Sequence, residues 1–231
     1  MATKASAKKP KGSGACYLSG TLIEAEDGEI AIENLNQGDL VLTASGQYEP
    51  VQWLGHFSKK IDPNKVEGTS ASYPVRICKD AFAKDQPKRD LYVSQLHSLW
   101  IDDVLVPAID LVNDVTITIE ARTEVVYYHL ELPTHNVVYA NGLAAESYLD
   151  DNNRDIFVTD AGPVSNVTVF DPEMPALTSP EIWEKKGFAK VVRSGPQLDE
   201  IRARLLARAN VLAAAHEQHN NTSRAKAKKA A

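Results

Sequence analysis

The chain has 231 residues, 43% of them hydrophobic, and a mean hydropathy of −0.29. That is the size of one domain with a small appendage, and it carries enough apolar material for a packed core. No apolar run reaches the roughly 18 residues that a bilayer span needs. Lys4, Lys8, Lys9 and Lys11 are followed by no apolar stretch, so no secretory signal peptide is expected and the cytoplasm is the default compartment.

The formal net charge of −6 hides a segregation. Residues 1–15 carry four Lys and residues 221–231 carry Arg224, Lys226, Lys228 and Lys229, with no acid in either segment. Taking these eight cations from the 25 leaves 17 against 31 acids, so residues 16–220 sum to −14. Both ends are rich in Ala, Lys, Ser or Gly and read as disordered basic tails. No basic-aromatic platform accompanies them, so the reading taken is solubilising tails rather than nucleic-acid binding. Two cysteines, Cys16 and Cys78, are too few for a disulfide framework, and reduced thiols are expected.

From Cys16 onward, short apolar segments recur between turn signals. Thr21–Ala25 and Ile30–Ile32 flank Glu26-Asp27-Gly28-Glu29, a hairpin cue. Leu35–Asp39 turns into Leu40–Thr43, and Ala44–Gln47 turns into Tyr48–Leu54, where Pro50 marks an edge position. Asp62–Ser72 reads as a loop. Further strands are expected at Val75–Cys78, Leu91–Ser94, Ser98–Ile101, Val104–Pro107, Val115–Ile119, Val125–Leu132 and Val137–Ala140. Residues 16–147 therefore form a mainly β domain. Residues 148–220 are expected to form an extended strap, with one possible strand at Val164–Phe170 and a short helix at Pro180–Lys186, ending in a C-terminal helix after Gly195-Pro196. That helix places Leu198, Ile201, Leu205, Ala209 and Leu212 on one face, with Asp199 and Glu200 near its positive end.

Breaking a backbone amide from within takes a nucleophile beside the bond, an acid for the leaving nitrogen and donors for the oxyanion. Cys16 opens the β domain, and its sulfur can reach the carbonyl carbon of Ala15 through a five-membered ring. Taken alone, Cys16 fits a buried small hydrophobe equally well. Ser94 and His97, three apart at the end of a strand, could polarise the scissile carbonyl and protonate the leaving amine. His129 and His135 are six apart, with Pro133 arguing for a bend between them. His56, His216 and His219 carry no chemical expectation.

Cys16 through Gly20-Thr21, Gly38-Asp39-Leu40-Val41, Ser94-x-x-His97 and the stretch from Tyr128-His129-Leu130-Glu131-Leu132 through His135-Asn136 to Asn141-Gly142-Leu143 occur in an order that resembles the hedgehog/intein (Hint) domain family. The bacterial, non-splicing members are the nearest resemblance, over roughly residues 14–150 and into the strap-plus-helix tail. The resemblance implies a Hint-type horseshoe of short strands with pseudo-twofold symmetry. By position, Cys16 resembles the nucleophile of the N–S acyl shift and His97 the histidine that assists breakdown of the scissile amide. Ser94 stands where the family usually has Thr, and His129 where inteins commonly have Asp. His135 matches the histidine of the later His-Asn pair, with a structural or a catalytic role left open.

Inteins end in His-Asn, and Glu146-Ser147 stands in that place here. Without the Asn side chain to cyclise, splicing is not expected. The expected activity is a single-turnover, cysteine-dependent cleavage at Ala15–Cys16, with the chain's own residues 1–15 as substrate and water or a small thiol as acceptor. Only these 15 residues precede Cys16, so either they are the cargo or a passenger and its chemistry have been lost. No organic cofactor and no metal are expected. The alternatives are a catalytically silent β-scaffold that binds a partner and, more weakly, a zinc site built from Cys16, His97 and His129.

Overall fold

The structure, a computed structural model, describes residues 15–65, 70–150, 157–159, 162–163 and 180–229. The first strands are β1 (Tyr17–Leu18), β2 (Leu22–Ala25), β3 (Gly28–Ala31), β4 (Leu40–Leu42), β5 (Tyr48–Pro50) and β6 (Trp53–Lys60). Next come β7 (Val75–Ile77), β8 (Leu91–Val93), β9 (Ser98–Ile101), β10 (Val104–Pro107) and β11 (Ile117–Ile119). The last are β12 (Glu124–Glu131), β13 (Val137–Ala140), β14 (Leu143–Glu146), β15 (Val158–Thr159) and β16 (Gly162–Pro163). Two helices follow, α1 (Pro180–Lys186) and α2 (Pro196–Lys229). Among the described residues no helix is long and apolar enough to cross a membrane.

The strands form two sheets whose pairings are antiparallel. One runs β11-β7-β8-β1-β12-β6-β15-β16, and the other β10-β9-β14-β13-β2-β4-β5, with β3 paired to β2. The turn of the β2–β3 hairpin hands over to β3 at Gly28, with φ at 110°, a conformation that side-chain-bearing residues rarely adopt. Sequence pattern alone makes one strand of Tyr48–Leu54, but the structure splits it. Pro50 ends β5 at the edge of the second sheet, and Val51-Gln52 carries the chain across to β6 in the first. Proline has no N–H to continue the ladder, which fits both the edge and the break. From Trp53 the chain pairs with β12 over eight residues, from Glu131↔Trp53 to Glu124↔Lys60.

Two apolar clusters fill the domain. The larger joins Ile23, Val41, Ile77, Leu91, Leu99, Leu111, Leu130 and Val138. The smaller surrounds Cys16 with Phe57, Tyr127, Tyr148 and Phe157. Gly55 serves the second cluster: a Cβ there would run into the Trp53 ring and approach the Phe157 Cβ to 2.8 Å. Its absence lets Trp53 fold along its own strand onto Tyr148 and Phe157, with ring centroids 5.0 and 5.2 Å apart.

The C-terminal extension is docked on the β domain. Leu105 of β10 accepts the Val192 N–H and donates its own N–H to Lys190, so residues 190–192 cover the β10 edge. Leu198, Ile201, Leu205 and Ala209 are buried, as the three-four spacing predicts. Arg193 and Arg204 pair with Asp110 and Asp102 at 2.7 and 2.8 Å, but both arginines and Asp102 are exposed. Exposed pairs contribute about 0–1 kcal/mol each, whereas a buried Leu or Ile side chain contributes about 1.5–3. Apolar packing therefore holds α2 in place.

α2 runs to Lys229, so residues 221–229 are helical where the sequence reading has a disordered tail. Ala, Lys and Arg are strong helix formers, and here they extend a helix already nucleated by its packed first half. The expected strand at Val164–Phe170 lies outside the described residues.

Candidate active site

Strand register brings the candidate residues together. β1 is a central strand, with Tyr17 paired to Val93 of β8 on one side and to Tyr128 of β12 on the other. Cys16, one residue before Tyr17, therefore meets Ser94, one residue after Val93. The two are bonded in both directions: the Cys16 N–H donates to the Ser94 hydroxyl at 2.9 Å, and the Ser94 N–H donates to the Cys16 carbonyl at 2.8 Å. The chain then turns, with the His97 N–H on the Ser94 carbonyl at 3.1 Å, which returns the His97 side chain to the start of β1. His129 follows Tyr128 in β12 and shares the buried face of Val125 and Tyr127.

The result is a closed aromatic cluster. The His97 ring lies 4.1 Å from the Tyr17 ring and 5.4 Å from that of His129. The His129 ring is also 6.0 Å from Tyr17 and 5.2 Å from Tyr148. Cys16, Ser94 and His97 are fully buried, and His129 nearly so. Among the described residues, neither His97 nitrogen nor the His129 Nδ1 has a hydrogen-bond partner.

His135 stands apart from this group. Pro133 lies in the connection that ends β12 at Glu131 and starts β13 at Val137, in the other sheet. The His135 Nδ1 accepts the Phe188 N–H at 2.9 Å, and the Trp183 ring lies edge-on at 4.9 Å. Its Nε2 faces the Glu146 carboxylate at 3.7 Å, beyond hydrogen-bond length. Sequence reading missed this cover, because it comes from an extension 53 residues downstream.

Glu146 and Ser147 are both buried. Glu146 accepts the Ser98 N–H at 2.6 Å, and Ser147 accepts the Asn136 N–H at 2.9 Å. Tyr17 was also missed as a site residue: its hydroxyl donates to the Glu146 carbonyl at 2.8 Å. A tyrosine directly after the candidate nucleophile was the one available signal.

Burial dominates the electrostatics. It pushes the Cys16 thiol well above its ordinary value, with the Glu146 charge adding to the rise. It lowers His97 to about 4, with Glu146 opposing and His135 assisting. His129 falls well below its ordinary value through burial and the proximity of His97 and His135. At neutral pH the site therefore holds a protonated thiol beside neutral imidazoles.

The sign of the stability effect follows. Between about 6.5 and about 4 the unfolded chain binds protons that the folded His97 does not, so unfolding free energy falls as pH drops through that window. The expected loss from His97 is on the order of 3 kcal/mol. Urea titrations at several pH values check this, and His97→Gln should flatten the slope.

Cys16, His97 and His129 do not converge as metal ligands: among the described residues, no group of three or more His, Cys, Asp or Glu could hold a metal ion. The Hint domain family profile matches residues 15–152, more than half of the chain. The chain belongs to the Hint domain family. No curated protein matches this Hint domain protein. Among solved structures it is similar to the gp41-1 intein, at 16% identity over 58% of this chain and 98% of that one, with a TM-score of 0.40. It is similar to the bacterial intein-like domain from Clostridium thermocellum at 14% identity, over 58% of this chain and 100% of that one, with a TM-score of 0.41. A DnaB intein from Synechocystis sp. PCC 6803 matches at 12% identity, over 58% of this chain and 99% of that one, with a TM-score of 0.39. Membership of the Hint domain family supports an autoprocessing-type domain in general terms.

Proposed function

We propose that the protein cleaves its own Ala15–Cys16 peptide bond through a cysteine-dependent N–S acyl shift and does not splice. The observation that carries this reading is the Cys16 amide itself. Its N–H, the leaving group of such a reaction, is held by the Ser94 hydroxyl at 2.9 Å in a buried site lined by two neutral imidazoles.

The steps follow from these groups. The Cys16 sulfur attacks the Ala15 carbonyl carbon, and its proton passes to a neutral imidazole. The tetrahedral intermediate collapses with rupture of the C–N bond, and the imidazolium returns the proton to the Cys16 nitrogen. An imidazolium with a pKa of about 4 gives up that proton readily. The thioester then passes its acyl group to water or a small thiol, which frees residues 1–15 and regenerates the Cys16 thiol. In this reading Ser94 orients the amide, His97 transfers the proton and His129 flanks the thiol.

Splicing needs a nucleophilic amide nitrogen at the far end of the domain, and Glu146-Ser147 supplies none. The His135 Nδ1 already accepts the Phe188 N–H, which supports an anchoring role for His135 rather than a proton-transfer role.

The same burial favours a second reading, a catalytically silent β-scaffold acting through an interaction surface, because a thiol pushed well above its ordinary pKa is a poor nucleophile. Intact mass after incubation of the full chain with dithiothreitol separates the two. Loss of residues 1–15 supports cleavage, and a chain that stays at full length supports the scaffold.

A further inference from the structure

The mechanism gives no part to the buried Tyr17 side chain. Tyr17 is 0% exposed, yet it carries a hydroxyl into a cluster whose other buried members are Leu, Ile, Val and Ala. That hydroxyl is bonded to the Glu146 carbonyl of β14, in the other sheet. The same ring packs on His97 and faces His129 edge-on.

His97 needs such a support. A working imidazole ordinarily has its orientation and tautomer fixed by a hydrogen bond at its second nitrogen. Neither His97 nitrogen has one among the described residues. Its backbone is pinned, since the His97 N–H bonds to Ser94 and its carbonyl accepts from Ala108, but these bonds leave the ring free to turn. The Tyr17 ring, at 4.1 Å and tilted by 58°, is the nearest aromatic contact restraining it.

We propose that Tyr17 is a positioning residue for His97: its ring, fixed at the far end by the hydroxyl bond to Glu146, holds the imidazole beside the Cys16 amide. The proposal rests on the reading of His97 as the proton-transfer group. It goes beyond that reading by making the first proton transfer depend on a main-chain atom at the other end of the domain. Tyr17→Phe keeps the ring and removes the tether, while Tyr17→Leu removes both.

The test uses the full chain and two readouts. In the first, thiol-induced cleavage is timed by intact mass from about pH 5 to about pH 9. Tyr17→Phe is expected to cleave about tenfold more slowly and Tyr17→Leu about a hundredfold, the cost of a misplaced proton donor. The Leu variant also admits water to His97, so the acid limb of its rate profile moves to higher pH. The titratable groups facing His97 are Tyr17 from β1, His129 from β12, His135 from the β12–β13 connection and Glu146 from β14. All but Tyr17 are retained, so a moved limb reports the loss of that ring.

The second readout is the ¹⁵N spectrum of the His97 imidazole in the Cys16→Ala background, which needs no cleavage. One sharp tautomer with Tyr17, giving way to mixed tautomers with Phe or Leu, supports the proposal. Variants that cleave at the wild-type rate with the wild-type profile overturn it. If the wild-type chain does not cleave, the cleavage reading fails by itself. The imidazole spectrum then decides alone, and His97 resonances unchanged by Tyr17→Leu overturn the positioning role.

Discussion

Cys16→Ala is expected to stay at full length after prolonged incubation with dithiothreitol, under conditions that convert the wild-type chain. The reaction as proposed has one nucleophile, and alanine removes it without altering Ser94, His97 or the Ala15–Cys16 backbone. The rate should drop by at least about 10³-fold, to the level of unassisted amide hydrolysis, because no other group is offered the five-membered approach. Folding is a manageable concern. Cys16 is fully buried in the smaller apolar cluster, and trading a thiol for a methyl leaves a small cavity that costs about 1 kcal/mol. Circular dichroism and a urea midpoint on the same sample separate that cost from lost chemistry. Release of residues 1–15 from a folded Cys16→Ala chain at the wild-type rate would sink the cysteine mechanism.

His97→Gln is the second large effect, an expected slowing of about 10²- to 10⁴-fold, the usual worth of a positioned acid–base group. Its pH dependence is more informative than its size. With His97 lowered to about 4, the wild-type rate should have no acid limb from that imidazole near neutrality. The Cys16 thiol lies well above its ordinary value, so free thiolate is scarce, and with His97 taking the thiol proton the wild-type rate should stay level across neutral pH. His97→Gln removes that proton carrier, so the residual rate should be lower and should climb with pH as free thiolate forms, measured by intact mass against time. A variant whose rate stays as level with pH as the wild type's would take His97 out of the proton transfer.

These expectations rest on residues of uneven legibility. The spans of β9, β10 and β13 follow directly from apolar runs between turn residues, and the structure has the same bounds. β14 was not predicted as a strand, because Leu-Ala-Ala-Glu has neither alternation nor β-branched residues. It forms because β13 and β9 flank it. Tyr48–Leu54 was too long by one break, since local pattern does not say when a chain changes sheets. Within the site, the order of Cys16, Ser94, His97 and His129 along the chain was readable, but their environment was not. Burial, His97 ring nitrogens without a hydrogen-bond partner among the described residues, the Tyr17–Glu146 tether and the Phe188 cover on His135 all depend on long-range packing, the last two between residues 129 and 53 apart.

The reciprocal bonding of Cys16 and Ser94 has a consequence for what remains after the reaction. The proposed scission lies immediately upstream of a central strand, and the pairings of that strand, Tyr17 with Val93 and Tyr128, belong wholly to the retained side. In this reading the spent protein keeps those pairings and acquires a new α-amino group at the start of β1, in reach of the Ser94 hydroxyl. The remnant's N-terminal cysteine is thereby tied into the sheet rather than left on a free end.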